Sequence, residues 1–159
     1  MRGTVLYAPR DVRFEERDAP KIVKPTDAIV RNSATCVCGS DLWPYRGINP
    51  VAQPTPMGHE YRGIVEEVGS AVTSIKPGQF VIGSFFASDN TCPNCRAGYQ
   101  SGCQHAEFIG TAQAPLLRVP LAEGTWWRPA MFPQNSRSPA CWRSPTSWAP
   151  AGSPPPQPT

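Results

Sequence analysis

From Thr125 to Thr159 the chain carries nine prolines and, Met131 apart, no aliphatic side chain larger than alanine. Such a segment cannot bury enough apolar surface to offset the entropy of ordering it. Whatever core this 159-residue chain builds must therefore come from residues 1–124. Residues 125–159 read as a disordered Pro-rich tail. Four of the five tryptophans (Trp126, Trp127, Trp142, Trp148) fall in it, and no acidic residue follows Glu123.

Before that point the grammar is that of short strands and turns. Gly3 to Ala8 and Val12 to Arg17 have strand character and are separated by the Pro9-Arg10-Asp11 turn. Asp27 to Cys36 alternates loosely, and Gly39 to Arg46 suits a short helical turn limited by Pro44. A Pro-rich loop runs from Asn49 to Pro56. It is followed by the β-rich GHEYRGIVEEVGSAV (58–72) and by KPGQFVIGSF (76–85), a turn and a strand. Residues 87–106 form a loop rich in Cys, Gly and Asn, and Glu107 to Gly110 and Leu116 to Val119 are two last strands. Many short strands joined by turns indicate a mainly β barrel or sandwich.

A net charge of +3 with scattered Lys and Arg gives no basic stripe for nucleic acid. No apolar run approaches the roughly 20 residues that span a membrane. Arg10, Asp11 and Arg13 stand where a signal peptide needs its apolar stretch. The expectation is a cytoplasmic protein, and in a reducing compartment the six cysteines suit metal binding better than disulfides.

Within DNTCPNCRAGYQSGC (89–103), Cys92-x2-Cys95-x7-Cys103 gathers three thiols in a loop too short to have its own core. Zn²⁺ takes four ligands in a tetrahedron, and Asp89, three positions before Cys92, offers a carboxylate oxygen as the fourth. The competing reading is a Cys92/Cys95 redox pair, which in a thioredoxin-like protein would open a helix within a βαβ unit. A second constellation is Cys38, in CGSD with Asp41, and His59, in GHE with Glu60. A zinc-bound imidazole usually gives its other N–H to a carboxylate, and Asp41 can supply one. Cys36 competes as the thiolate, but it ends a strand pattern and reads as packing.

These residues resemble the medium-chain, zinc-dependent alcohol dehydrogenases. GHEYRGIVEEVGSAV is similar to their zinc signature, CGSD to their catalytic Cys motif, and RAGYQSGC to the end of their structural-zinc lobe. KPGQFV resembles their Lys-Pro-Gly turn, with Gln79 and Phe80 as departures. The resemblance covers residues 1 to about 124. It implies a GroES-like β-barrel with a structural-zinc loop, held by Asp89, Cys92, Cys95 and Cys103, where Asp89 replaces the commoner cysteine. It also implies a catalytic zinc on Cys38 and His59, Ser40 as the hydroxyl that relays the alcohol proton, and Glu60 as a carboxylate able to approach the metal. The implied reaction is oxidoreduction of a small alcohol or aldehyde, with hydride passing from a zinc-bound alkoxide to NAD or NADP in a complete homologue.

No G-x-G-x-x-G follows a strand in these residues. The third catalytic-zinc ligand, which the resemblance implies as Cys, Asp or Glu beyond the barrel, is missing: no acidic residue follows Glu123, and Cys141 sits in the tail. The chain as given is thus expected to be inactive, a truncated dehydrogenase. The two rivals are a non-catalytic zinc-binding or interaction module and a C-x-x-C thiol redox protein. SPPPQP (153–158) contains a P-x-x-P that suits an SH3-like groove. A GC-rich gene read out of frame also yields this tail composition. One base restored after the Thr125 codon turns the next three codons into those of an ordinary strand and allows Ser-Asp-Val further on. Resequencing the gene from the Pro115 codon past its stop is expected to return that base and a frame leading to a glycine-rich βαβ unit. An unchanged read would overturn the frameshift.

Overall fold

A computed structural model describes residues 1–127. The first two strands, β1 (Arg2–Ala8) and β2 (Asp11–Glu16), form a hairpin whose turn places Arg10 at φ 66°. They are followed by β3 (Ala28–Thr35), a 3₁₀ turn at Gly39–Asp41, α1 (Leu42–Tyr45), β4 (Thr55–Pro56), β5 (Tyr61–Val68), β6 (Phe80–Gly83) and β7 (Phe86–Ala87). Then come α2 (Pro93–Arg96), a 3₁₀ turn at Gln100–Gly102, β8 (Glu107–Phe108), β9 (Leu116–Val119), α3 (Ala122–Thr125) and β10 (Trp126–Trp127). The strands pair antiparallel in three groups, ordered β2-β1-β4, β10-β6-β5-β3-β9 and β7-β8.

The central ladder shows why these sequences pair. Along β5, Tyr61, Gly63 and Val65 are buried, while Arg62 and Ile64 are half-buried between them, the period of a strand with one face on the core. Val30 of β3 stands opposite Val65 on one side and Leu117 of β9 on the other, and all three are fully buried. Val81 of β6 and Val119 of β9 join them. Gly83 of β6 lies against the Tyr61 ring, where any Cβ would overlap the phenol.

Two carboxylates tie loops to this sheet. Asp27 is wholly buried and accepts from the Val23 and Lys24 amides at 3.0 and 2.8 Å. It also accepts from Arg118 Nε and Nη2 on β9 at 2.7 and 3.2 Å. Burial opposes its ionisation, but Arg118 and the two amides outweigh that and hold the carboxyl below its ordinary value. Glu123 of α3 accepts from the amide and hydroxyl of both Thr73 and Ser74. These bonds overcome its partial desolvation and hold it at about 2.

Two expectations need correcting. The Pro-rich loop contains β4, which pairs with β1 through Val5↔Pro56 and Leu6↔Thr55 at the edge of its sheet, the place where a proline without an N–H is tolerated. The boundary at residue 124 also falls too early. Thr125 is buried with its hydroxyl on the Leu121 carbonyl at 2.8 Å, and Trp126 opposes Gly83 in β10. Trp126 Nε1–H donates to the buried Tyr61 hydroxyl at 3.0 Å, so an aromatic does what a count of aliphatics overlooks. The rest of the expected tail, with Cys141 and the P-x-x-P, lies outside the described residues. Among the described residues no helix is long and apolar enough to cross a membrane.

Replacing Asp27 with Asn leaves the Arg118 guanidinium with the carboxylate of Glu107 at 3.7 Å and is expected to cost about 1–3 kcal/mol in urea unfolding at neutral pH. A carboxyl depressed in the fold stabilises fully above its unfolded pKa near ~3.9 and loses that contribution as pH falls further. The two proteins should therefore converge in acid.

Candidate metal centre

Two groups of metal-capable side chains form among the described residues. The first hangs on the β7–β8 hairpin. Its root is pinned where Ser88 Oγ donates to the Gly124 carbonyl at 3.0 Å and the Ser88 amide donates to Thr125 Oγ1 at 3.3 Å. Asn90 at φ 55° and Gly98 at φ 90° bend the chain back on itself. Cys92 caps α2 with Pro93 at its first position, a site that needs no N–H. Asn94 Nδ2 donates to the Gly102 carbonyl at 2.7 Å and closes the loop so that Cys103 returns to Cys92 and Cys95.

One donor atom each from Asp89, Cys92, Cys95 and Cys103 lie within 4.8 Å of one another, and the three thiols are buried. The described cysteines are all free, which corrects any disulfide reading for them. Burial pushes the Cys95 thiol up to about 12, whereas the Cys95 amide lowers Cys92. The hydrogen bond to His105 holds the Asp89 carboxyl well below the usual carboxylate range. Three thiols and one carboxylate at these separations are a donor set that suits tetrahedral Zn²⁺.

The second group is Cys38, His59 and Glu60, whose donor atoms also lie within 4.8 Å of one another. Cys38 precedes the Gly39–Asp41 turn, and its amide donates to Asp41 Oδ2 at 2.8 Å. Asp41 Oδ1 is 3.4 Å from His59 Nδ1, and Ser40 Oγ is 3.2 Å from His59 Nε2. Every residue picked from the sequence thus converges on one of two places. A soft thiol, an imidazole and a carboxylate are a donor set that zinc accepts.

Three features escaped the sequence reading. Cys36 is exposed rather than packed, and its thiol donates to Glu60. Desolvation of its sulfur and that carboxylate push it up to about 12. Phe85 and Phe108 set their ring centroids 6.1 Å from His59 and give the centre an aromatic rim. His105 sits on Asp89, with Nδ1 2.5 Å from Oδ2. It is one of only two histidines in the chain and stands two residues after Cys103, the signal that could have found it.

A mainly β chain with two thiol-containing donor clusters has the form of a metal-binding domain. The profile of the alcohol dehydrogenase GroES-like domain matches residues 24–140, and the chain belongs to that family. A zinc-type alcohol dehydrogenase B of Aspergillus flavus is 42% identical over 130 residues, taking in 79% of this chain and 30% of that protein. Alcohol dehydrogenase TADH from Thermus sp. ATN1 superposes with a TM-score of 0.75 at 35% identity, over 80% of this chain and 39% of that one. Zinc dependent alcohol dehydrogenase 2 from Streptococcus pneumonia does so with a TM-score of 0.73 at 38% identity, over 80% and 38%. The chain thus spans well under half the length of these relatives.

Gly58, next to His59, holds φ 92°, and a Cβ there would lie 2.6 Å from the Gln113 amide nitrogen. Gly58→Ala is expected to lower stability by about 1–3 kcal/mol in urea unfolding, more than alanine costs at the uncrowded Gly39.

Proposed function

We propose that this chain is the metal-binding, GroES-like part of a zinc-dependent alcohol dehydrogenase that interconverts a small alcohol and its aldehyde with NAD or NADP. The observation that carries the reading is the convergence of Cys38, His59 and Glu60 with Asp41 on the far nitrogen of the imidazole. Those three side chains would hold zinc, whose Lewis acidity would let a bound alcohol give up its proton near neutral pH. Asp41 Oδ1, 3.4 Å from His59 Nδ1, favours the tautomer with its proton on Nδ1, so that Nε2, beside the Ser40 hydroxyl at 3.2 Å, is the nitrogen that would be offered to a metal. The Ser40 hydroxyl beside Nε2 is placed to relay the alcohol's proton, taking it on its oxygen as its own O–H proton passes to solvent. Phe85 and Phe108 shield the imidazole from water on their side.

The loop of Asp89, Cys92, Cys95 and Cys103 is the second, structural zinc site in this reading. A thiol redox role fits less well. Cys92 does open a helix, but α2 lies between two antiparallel strands rather than in a βαβ unit, and a third thiol crowds the pair. The chain is proposed to hold zinc at both donor groups.

Elemental analysis of the purified chain is expected to find two zinc ions, one for each donor group. Cys38→Ser should remove one of them and Cys95→Ser the other. A metal-free chain that forms a reversible Cys92–Cys95 disulfide would overturn the proposal in favour of redox chemistry.

A further inference from the structure

Asp89 is the one oxygen donor among three sulfurs, and its two oxygens have different partners. Oδ1 accepts the Thr91 amide at 2.9 Å and the Cys92 amide at 3.1 Å, and lies 3.5 Å from Cys103 Sγ. One turn later Cys92 Sγ accepts the Cys95 amide at 3.5 Å. In both turns a side-chain acceptor takes the amide three residues on, so Oδ1 occupies the place that sulfur occupies in the next turn. Oδ2 faces the other way, 2.5 Å from His105 Nδ1. The histidine is itself tied to the cluster, because its amide donates to Cys103 Sγ at 3.4 Å.

A carboxylate that stands in for a thiolate brings a second oxygen and a freely turning Cβ–Cγ bond. Left alone, it can present either oxygen or both. We propose that His105 is a positioning residue of this loop: by holding Oδ2 it makes Asp89 a ligand through Oδ1 alone. Asp89 and His105 then act as a unit in the role that one cysteine could fill. The inference rests on the reading of the loop as a zinc site. Ligating carboxylates are held in this way by neighbours whose loss weakens metal binding about 10–100-fold. A thiolate has no second atom to hold, so with cysteine at position 89 the histidine becomes idle.

The test uses the full chain loaded with ¹¹³Cd, read by cadmium NMR and by competition with a chelator at one fixed pH. The loop's resonance is the one that Cys95→Ser removes. His105→Ala is expected to weaken the loop's affinity about 10–100-fold, and His105→Gln, whose amide is also a donor, to recover part of it. In the Asp89→Cys background the same His105→Ala change should have no effect. Unchanged affinity in His105→Ala would overturn the inference. So would an equal loss in the Asp89→Cys background, which marks an ordinary structural contribution. A ¹⁵N–¹¹³Cd splitting on His105 would also overturn it, by making the histidine a ligand. A loop that takes up no cadmium in the unaltered chain removes the zinc reading as well, whereas a loaded loop indifferent to His105 removes this inference alone.

Discussion

The pairing of β3 with β5 decides where the donor atoms of Cys38, His59 and Glu60 meet. Thr35 is the last paired residue of β3 and Tyr61 the first of β5, and they stand opposite each other. Cys36 and Cys38 leave one end of that rung, while His59 and Glu60 arrive at the other. Residues more than twenty positions apart thus meet at the end of one ladder. The Thr35 hydroxyl donates to the Glu60 carbonyl at 2.8 Å and extends the rung by one more bond. Behind it, Val30, Val65 and Leu117 supply the apolar burial that fixes the register. A slip of one residue would turn those valines outward and part the thiol from the imidazole.

The Cys92–Cys103 loop follows a different logic. Its buried side chains are three cysteines with no aliphatic companion, so it has little hydrophobic cohesion of its own. Where a loop has no core, metal binding and folding are one free energy. Gly124 and Thr125 of α3 give the loop a firm root at Ser88, and the rest of the loop is organised by turns that present side-chain acceptors to successive amides. The two donor groups therefore differ in what they need: one is assembled by the sheet, the other assembles the loop around it.

Much of this was legible in the sequence because it is written in local patterns. The alternation of β5, the run Leu116–Val119 and the spacing of the three cysteines each need only neighbours along the chain. The residues that escaped notice depend on partners far away. Cys36 looked like packing because its partner, Glu60, lies twenty-four positions on. Asp89 was found by spacing, but the histidine that holds its second oxygen was not, since nothing in a Cys-x-His pair specifies a carboxylate. Two-residue strands such as β4 leave no periodicity to read. Trp126 falls in a stretch poor in aliphatic residues, and its place in the sheet rests on a ring and one hydrogen bond, which a count of aliphatics does not register.

That hydrogen bond has an optical consequence. An indole joined to a buried phenol lies close enough to take up the phenol's excitation, and the indole's own emission responds to the polarity around it. Trp126 and Tyr61 link β10 to β5 across β6, so the pair forms a built-in reporter at the strand that leads out of the His59–Glu60 loop. Events that loosen this side of the sheet will change the share of the emission that comes from Trp126, one of five tryptophans, with no dye attached.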